Sequence, residues 1–125
     1  MKTLGIDPGI ERVGWGVIFS EKGKLEYVAC GCITTSRTLS QQERIVKICR
    51  ELRLLIRHYS PDTAVVERLF FAKNKKTALA VSESRGAILM LLGEEKIATI
   101  ERTPLEVKMP ITGNGRAEKH QVAWV

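Results

Sequence analysis

The stretch Thr3-Leu4-Gly5-Ile6-Asp7-Pro8-Gly9 fixes where the first element must end. A short apolar run finishes on a carboxylate, and Pro-Gly follows at once. Proline cannot donate to a strand ladder and glycine tolerates a positive φ, so a strand stops at Asp7 and the chain turns. A second apolar run, Val13-Gly14-Trp15-Gly16-Val17-Ile18-Phe19, begins soon enough to close a hairpin. Asp7 is then expected at an edge of a sheet, where a metal ion can reach it. The competing reading is an aspartate that merely caps a turn.

The rest of the chain alternates between strand and helix signals. A first strand is predicted over Lys2 to Asp7 and a second over Val13 to Phe19. Glu21-Lys22-Gly23-Lys24 turns into a third, Leu25 to Thr34. Ser40-Gln41-Gln42-Glu43 is a capping-box pattern. After it Ile45, Ile48, Cys49, Leu52, Leu55, Ile56 and Tyr59 recur at helical spacing, predicting an amphipathic helix over one sheet face, with Pro61 at its end. Thr63-Ala64-Val65-Val66-Glu67 is a short buried strand that again finishes on a carboxylate. Lys75 to about Glu94 reads as a second helix. Its Ala78, Leu79, Ser82, Gly86, Leu89 and Met90 share one side, and the small residues allow close approach to another surface. Ile97 to Ile100 is a fifth strand. Pro104 opens a short helix that Pro110 stops, Thr112-Gly113-Asn114-Gly115 is a loop, and Arg116 or Ala117 begins a last helix. That helix has about nine residues, short of the ~12–15 at which isolated helices become marginal. It closes on Ala123-Trp124-Val125 with no glycine cap, basic last turn or polar tail. Residues 1–125 are therefore read as one domain that lacks its C-terminal helix.

Charge narrows the class of partner. The chain carries a formal net charge of +6 and a pI near 9.5, which favours a polyanion, nucleic acid before membrane. No apolar run approaches the ~20 residues of a membrane span, and Met1-Lys2-Thr3-Leu4 runs straight into a strand, unlike a signal peptide. A cytoplasmic setting is expected. Cys30, Cys32 and Cys49 lack metal-ligand spacing and read as buried, reduced thiols; His58 and His120 add no ligand pattern.

The order βββαβαβα resembles that of the RNase H-like fold, an α/β class with a mixed five-stranded sheet flanked by helices. In that fold the first and fourth strands are neighbours, which would bring Asp7 and Glu67 together. Two adjacent carboxylates repel unless one is protonated or a cation bridges them. Hard divalent ions such as Mg²⁺ take oxygen ligands, and a pair about 3.5–4 Å apart can stabilise both oxygens of an in-line phosphodiester cleavage. The bland alternative for Glu67 is an ion pair with Arg68 or Arg12.

Several stretches then become specific. They are Gly5-Ile6-Asp7-Pro8-Gly9, Gly14-Trp15-Gly16, Gly31-Cys32-Ile33, and Glu67-Arg68-Leu69-Phe70-Phe71-Ala72-Lys73-Asn74. Ala78, Arg85-Gly86, Val107-Lys108 and the block from Gly113 to Val122 continue them in one register. The chain resembles the RuvC family of bacterial Holliday junction resolvases over nearly its whole length. The resemblance implies that Asp7 and Glu67 are the first two metal-binding acids, with Mg²⁺ as cofactor and Mn²⁺ able to substitute. It makes Phe70 an aromatic near the junction crossover and places Lys108 and Lys119 near the scissile phosphate. It also implies a homodimer acting on a four-way junction with the RuvA and RuvB branch-migration proteins.

Two features depart from the family pattern. Its last two acids lie on a C-terminal helix, whereas this sequence has only the aspartates Asp7 and Asp62 and no glutamate after Glu118. Pro110 falls in a segment that the family usually keeps free of proline. Beside Phe70, the cations Lys73, Lys75 and Lys76, with Arg116 further on, suit phosphate contacts next to base stacking. They also fit an ordinary solvated face. Phe70 could equally anchor its loop, Glu118 is most simply a first-turn helix residue, and Arg85 reads as structural or as part of a dimer surface. Three functions compete: a metal-dependent endonuclease for Holliday junctions, a junction-binding module without catalysis, and a phosphotransferase of the actin-like group. The last rests only on the Asp-Pro-Gly turn, and that group needs two such domains.

Overall fold

The computed structural model describes residues 1–68 and 75–102. Strands β1 (Lys2–Asp7), β2 (Arg12–Glu21) and β3 (Lys24–Thr34) are followed by α1 (Gln41–Tyr59), β4 (Thr63–Glu67), α2 (Lys75–Glu94) and β5 (Ala98–Arg102). They form one five-stranded sheet in the order β3-β2-β1-β4-β5. The first three strands pair antiparallel, while β4 runs parallel to both β1 and β5. This is the mixed sheet flanked by helices that the element order predicts.

Local chemistry explains the hairpin and the first helix. Glu21 pairs with Lys24, and Lys22 and Gly23 between them both have positive φ, 51° and 79°, the geometry of a type I′ turn. In α1 the Ser40 side chain accepts from the Glu43 amide while Glu43 reaches back to the Ser40 amide. Ile48, Leu52 and Ile56 are buried, and Ile45, Cys49, Leu55 and Tyr59 pack beside them, as the periodicity predicts.

The core lies between the helices and one face of the sheet. In register, Leu4 stands beside Val17 and Ala64, and Ile6 beside Trp15 and Val66, so these side chains share a face. Trp15 meets Tyr59 of α1 at a ring-centroid distance of 5.9 Å, which identifies that face as the helical one. Across from Trp15, a Cβ on Gly31 would lie 2.8 Å from the indole, so only glycine leaves the ring its place. Helix α2 adds Ile88, Leu91 and Leu92, all fully buried. The two helices are tied by Arg53 to Glu94 and Glu95 at 3.5 and 3.6 Å, and by Arg57 to Glu95 at 3.2 Å.

Three expectations need correction. Cys30 and Cys32 are exposed, and only Cys49 is half-buried, where burial pushes its thiol pKa up. The two cysteines do share one strand face, but they stand opposite Gly16 and Gly14, on the face turned away from the helices. On β3, an edge strand, only Ile33 is fully buried. Helix α2 buries Ser84, Ile88, Leu91 and Leu92, whereas Leu79 and Met90 are 67% and 61% exposed. Apolar residues occur all round α2, so periodicity alone selects no face. Strand β5 runs from Ala98 to Arg102, beginning one residue later and ending two residues later than expected, after Lys96 takes a left-handed conformation with φ 57°. The elements expected after Pro104 lie outside the described residues.

Candidate active site

The site is built on the parallel pair β1–β4, and its register is set at the far end of the strands. There the Lys2 amide donates to the Asp62 carboxylate and the Asp62 amide to the Lys2 carbonyl, both at 2.8 Å. The hydroxyls of Thr3 and Thr63 meet at 3.2 Å, and the Lys2 ammonium donates to the Tyr59 carbonyl at 2.8 Å. A slip of one residue would turn every side chain to the other face, and this clamp together with the buried Leu4–Ala64 and Ile6–Val66 pairs excludes it. Of the chain's two aspartates, Asp62 thus has a structural task.

With Ile6 beside Val66, Asp7 and Glu67 follow on neighbouring strands, which lie about 4.8 Å apart. Ile6 and Val66 point to the helical face, so the two carboxylates leave from the opposite face, at the same end of the sheet. Both residues are half-buried. The turn after Asp7 is tight, because a Cβ on Gly9 would stand 2.0 Å from the Arg12 carbonyl oxygen. Glycine is needed there for space and not for a positive φ, since Gly23 supplies the positive-φ glycine recorded among the described residues.

The end of β4 is braced from β5 and α2. The Arg68 amide donates to the Arg102 carbonyl at 2.5 Å. Arg85 of α2 donates from Nε to the Glu67 carbonyl at 3.3 Å and from its other arm to the Glu101 carboxylate. That pair holds the Glu101 carboxyl below its ordinary 4.5, first through the hydrogen bond and then through charge. Arg85 is therefore structural, as its sequence reading allowed. Glu101 and its pairing could not be found in the sequence, because it depends on how α2 is rotated over β4 and β5. Arg12 lies beside Cys32, whose hydrogen bond and then charge hold its guanidinium pKa above the ordinary value. Glu67 stands in register with Arg102.

Asp7 lies at the end of the central strand and not at an edge of the sheet, and with Glu67 it offers a hard divalent cation two carboxylates, oxygen ligands only. No group of three His, Cys, Asp or Glu side chains that could hold a metal occurs among the described residues. Lys75 and Lys76 are exposed in the first turn of α2, which contains no acidic residue. Phe70, Lys73, Lys108, Arg116 and Lys119 lie outside the described residues.

Known proteins resemble this chain in both sequence and fold. Residues 3–125 match the family described as crossover junction endodeoxyribonuclease RuvC. The chain belongs to the RuvC family. A RuvC from Roseiflexus sp. is 47% identical over 121 residues, covering 97% of this chain and 72% of that protein. One from Borrelia turicatae is 44% identical over 125 residues, covering all of this chain and 78% of the relative. Among solved structures, Thermus thermophilus RuvC in complex with a Holliday junction substrate superposes with a TM-score of 0.86 at 29% identity, over 98% of this chain and 75% of that one. The yeast mitochondrial Holliday junction resolvase shares the fold, with a TM-score of 0.70 at 16% identity, over 97% of this chain and 58% of that one.

Proposed function

We propose that this RuvC chain is a structure-selective endodeoxyribonuclease that resolves Holliday junctions by hydrolysing phosphodiester bonds at a divalent-cation site. Asp7 and Glu67 are the residues that would hold the cation, Mg²⁺ by preference with Mn²⁺ able to replace it. The observation that supports the reading is the parallel β1–β4 register, in which Asp7 and Glu67 follow the paired Ile6 and Val66 at the same end of two adjacent strands. When bound, such a cation supplies Lewis-acid stabilisation of the charge that develops on phosphodiester oxygens. The chain's own residues do the rest. Asp7 and Glu67 concentrate negative charge that must be compensated, and the Asp62 clamp and Arg85 hold their strands in place. Lys75 and Lys76 face solvent, where they can meet phosphates. By resemblance Lys108 and Lys119 approach the scissile phosphate, Phe70 enters near the crossover, and Lys73 and Arg116 add DNA contacts.

We further propose that the chain works as a homodimer, so that two sites face the two symmetric strands of a four-way junction. Leu79, Gly86, Met90 and Gly93 form one exposed stripe along α2, and nothing lies within 4 Å of a Cβ placed on either glycine. Such a stripe lets a second copy of the helix approach closely. RuvA and RuvB are the proposed partners and the cytoplasm the proposed compartment. No helix among the described residues is long and apolar enough to cross a membrane.

A second reading, junction binding without cleavage, is favoured by one observation, the two-carboxylate donor set. Incubating the chain with a labelled four-way junction and with a linear duplex of the same sequence, with and without millimolar Mg²⁺, separates the two. Paired, Mg²⁺-dependent nicks in the junction alone support the nuclease. Tight junction binding without nicks supports the binding module.

A further inference from the structure

On the helical side of the sheet, at the same end as Asp7, runs an open groove of about 650 Å³. Its lining includes the cations Arg37, Arg44 and Lys76, against the single carboxylate of Glu11. Neither arginine was singled out by motif or spacing. They come from the β3–α1 connection and the first turn of α1, and only the fold assembles them.

The groove is cross-braced. The Thr35 amide donates to the Glu11 carbonyl at 2.9 Å, and the Thr35 hydroxyl to the Ile10 carbonyl, tying the β3–α1 connection to the turn behind Asp7. Arg44 Nε donates to the Ser36 carbonyl at 2.9 Å. Gln41 of α1 donates to the Ala80 carbonyl of α2 at 3.0 Å, fixing the distance between the two helical walls. Arg37 Nε donates to Glu11 at 2.6 Å, yet its side chain is 82% exposed, so donors remain free to meet solvent or a ligand. Glu11 is held below its ordinary pKa by that bond and by the charge of Arg37, and it stays ionised.

Stability does not explain this collection. Three like charges around one recess repel, and Lys76 in the first turn of α2 opposes the helix dipole where an acidic residue would be favourable. A polyanion running through the groove would reverse both costs, and a braced wall presents its cations without an ordering penalty. We propose that this groove carries the sugar–phosphate backbone of a junction arm away from the Asp7 end of the sheet, with Arg37 and Arg44 contacting successive phosphates. The proposal rests on the reading of the chain as a junction nuclease and adds to it the path of the DNA.

The test is junction affinity as a function of salt, by fluorescence anisotropy, for the full chain and its variants. Arg37→Gln with Arg44→Gln should weaken binding at least tenfold at low salt and reduce the slope of log Kd against log salt by about two. Glu11→Gln should act in the opposite direction, tightening binding and steepening the slope, because it removes the one anion and releases Arg37. A purely structural network would instead weaken binding in both variants. Arg37→Gln alone, at an 82% exposed side chain, provides the same reading should the double variant unfold, with a slope change of about one. Slopes that do not change in a wild type that binds and nicks junctions would overturn the groove and leave the nuclease standing. A wild type that shows no junction binding would overturn both.

Discussion

Gly9 shows how closely a single residue governs the approach to Asp7. The turn brings the Arg12 carbonyl to 2.0 Å from where a Cβ would be, and backbone cannot swing aside as a flexible side chain can. Gly9→Ala is expected to cost about 2–3 kcal/mol, the upper range for an overpacked site, and to re-aim the Asp7 carboxylate. Urea denaturation measures the first effect and junction nicking the second. Arg85 and Glu101 govern the neighbouring strand end. Because Arg85 holds the Glu101 carboxyl below its ordinary 4.5, the folded chain binds that proton less readily than the unfolded chain. The pair's stabilisation is therefore present above pH 4.5 and is lost as pH falls through the lowered folded value. Glu101→Gln should lower the melting temperature by a constant amount above that pH, and the difference from wild type should shrink below it. A difference that does not change with pH would remove the ion pair from the account.

At the scale of elements, legibility follows how many constraints act on each segment. Helix α1 was readable because a capping box, a regular apolar stripe and Pro61 agree, and β1 and β4 were readable because each ends on a carboxylate after an apolar run. Helix α2 was readable in extent but not in orientation. Its apolar residues surround the axis, and only contact with α1 and β5 selects Ile88, Leu91 and Leu92 for the core. The cysteines of β3 were read as buried and are exposed, because no local signal says which face of an edge strand the helices cover. Asp7 and Glu67 were legible as strand ends; the Asp62 clamp, the Arg85 brace and the basic groove were not, since each joins segments far apart in sequence. The stripe left outside the core supplies a prediction. Leu79→Glu with Met90→Glu should convert a dimer to a monomer in sedimentation or light scattering and make cleavage of the two junction strands uncoupled. A chain already monomeric at micromolar concentration, or one still dimeric with both substitutions, would assign the stripe to solvent.

At the scale of the molecule, the two faces of the sheet divide the work. One face is buried beneath α1 and α2 and supplies the core, and the other carries Asp7 and Glu67 at the end where both strands stop. Cations gather at that same end, at Lys75 and Lys76 and around the groove, in a chain whose formal net charge is +6. A polyanionic substrate drawn there would meet the carboxylate pair, Asp7 and Glu67, which would hold the proposed divalent cation. The measurement that bears most directly on this arrangement is the single-turnover rate of four-way-junction cleavage in millimolar Mg²⁺, for wild type, Asp7→Asn and Glu67→Gln, with junction affinity measured beside it. A metal ligand that contributes several kcal/mol to the transition state corresponds to a loss of roughly 100-fold to 1,000-fold on its removal. The account predicts a wild type that cuts, losses of that size in both variants, and junction affinities within about a factor of three of wild type. Cleavage by Asp7→Asn or Glu67→Gln at the wild-type rate would contradict it.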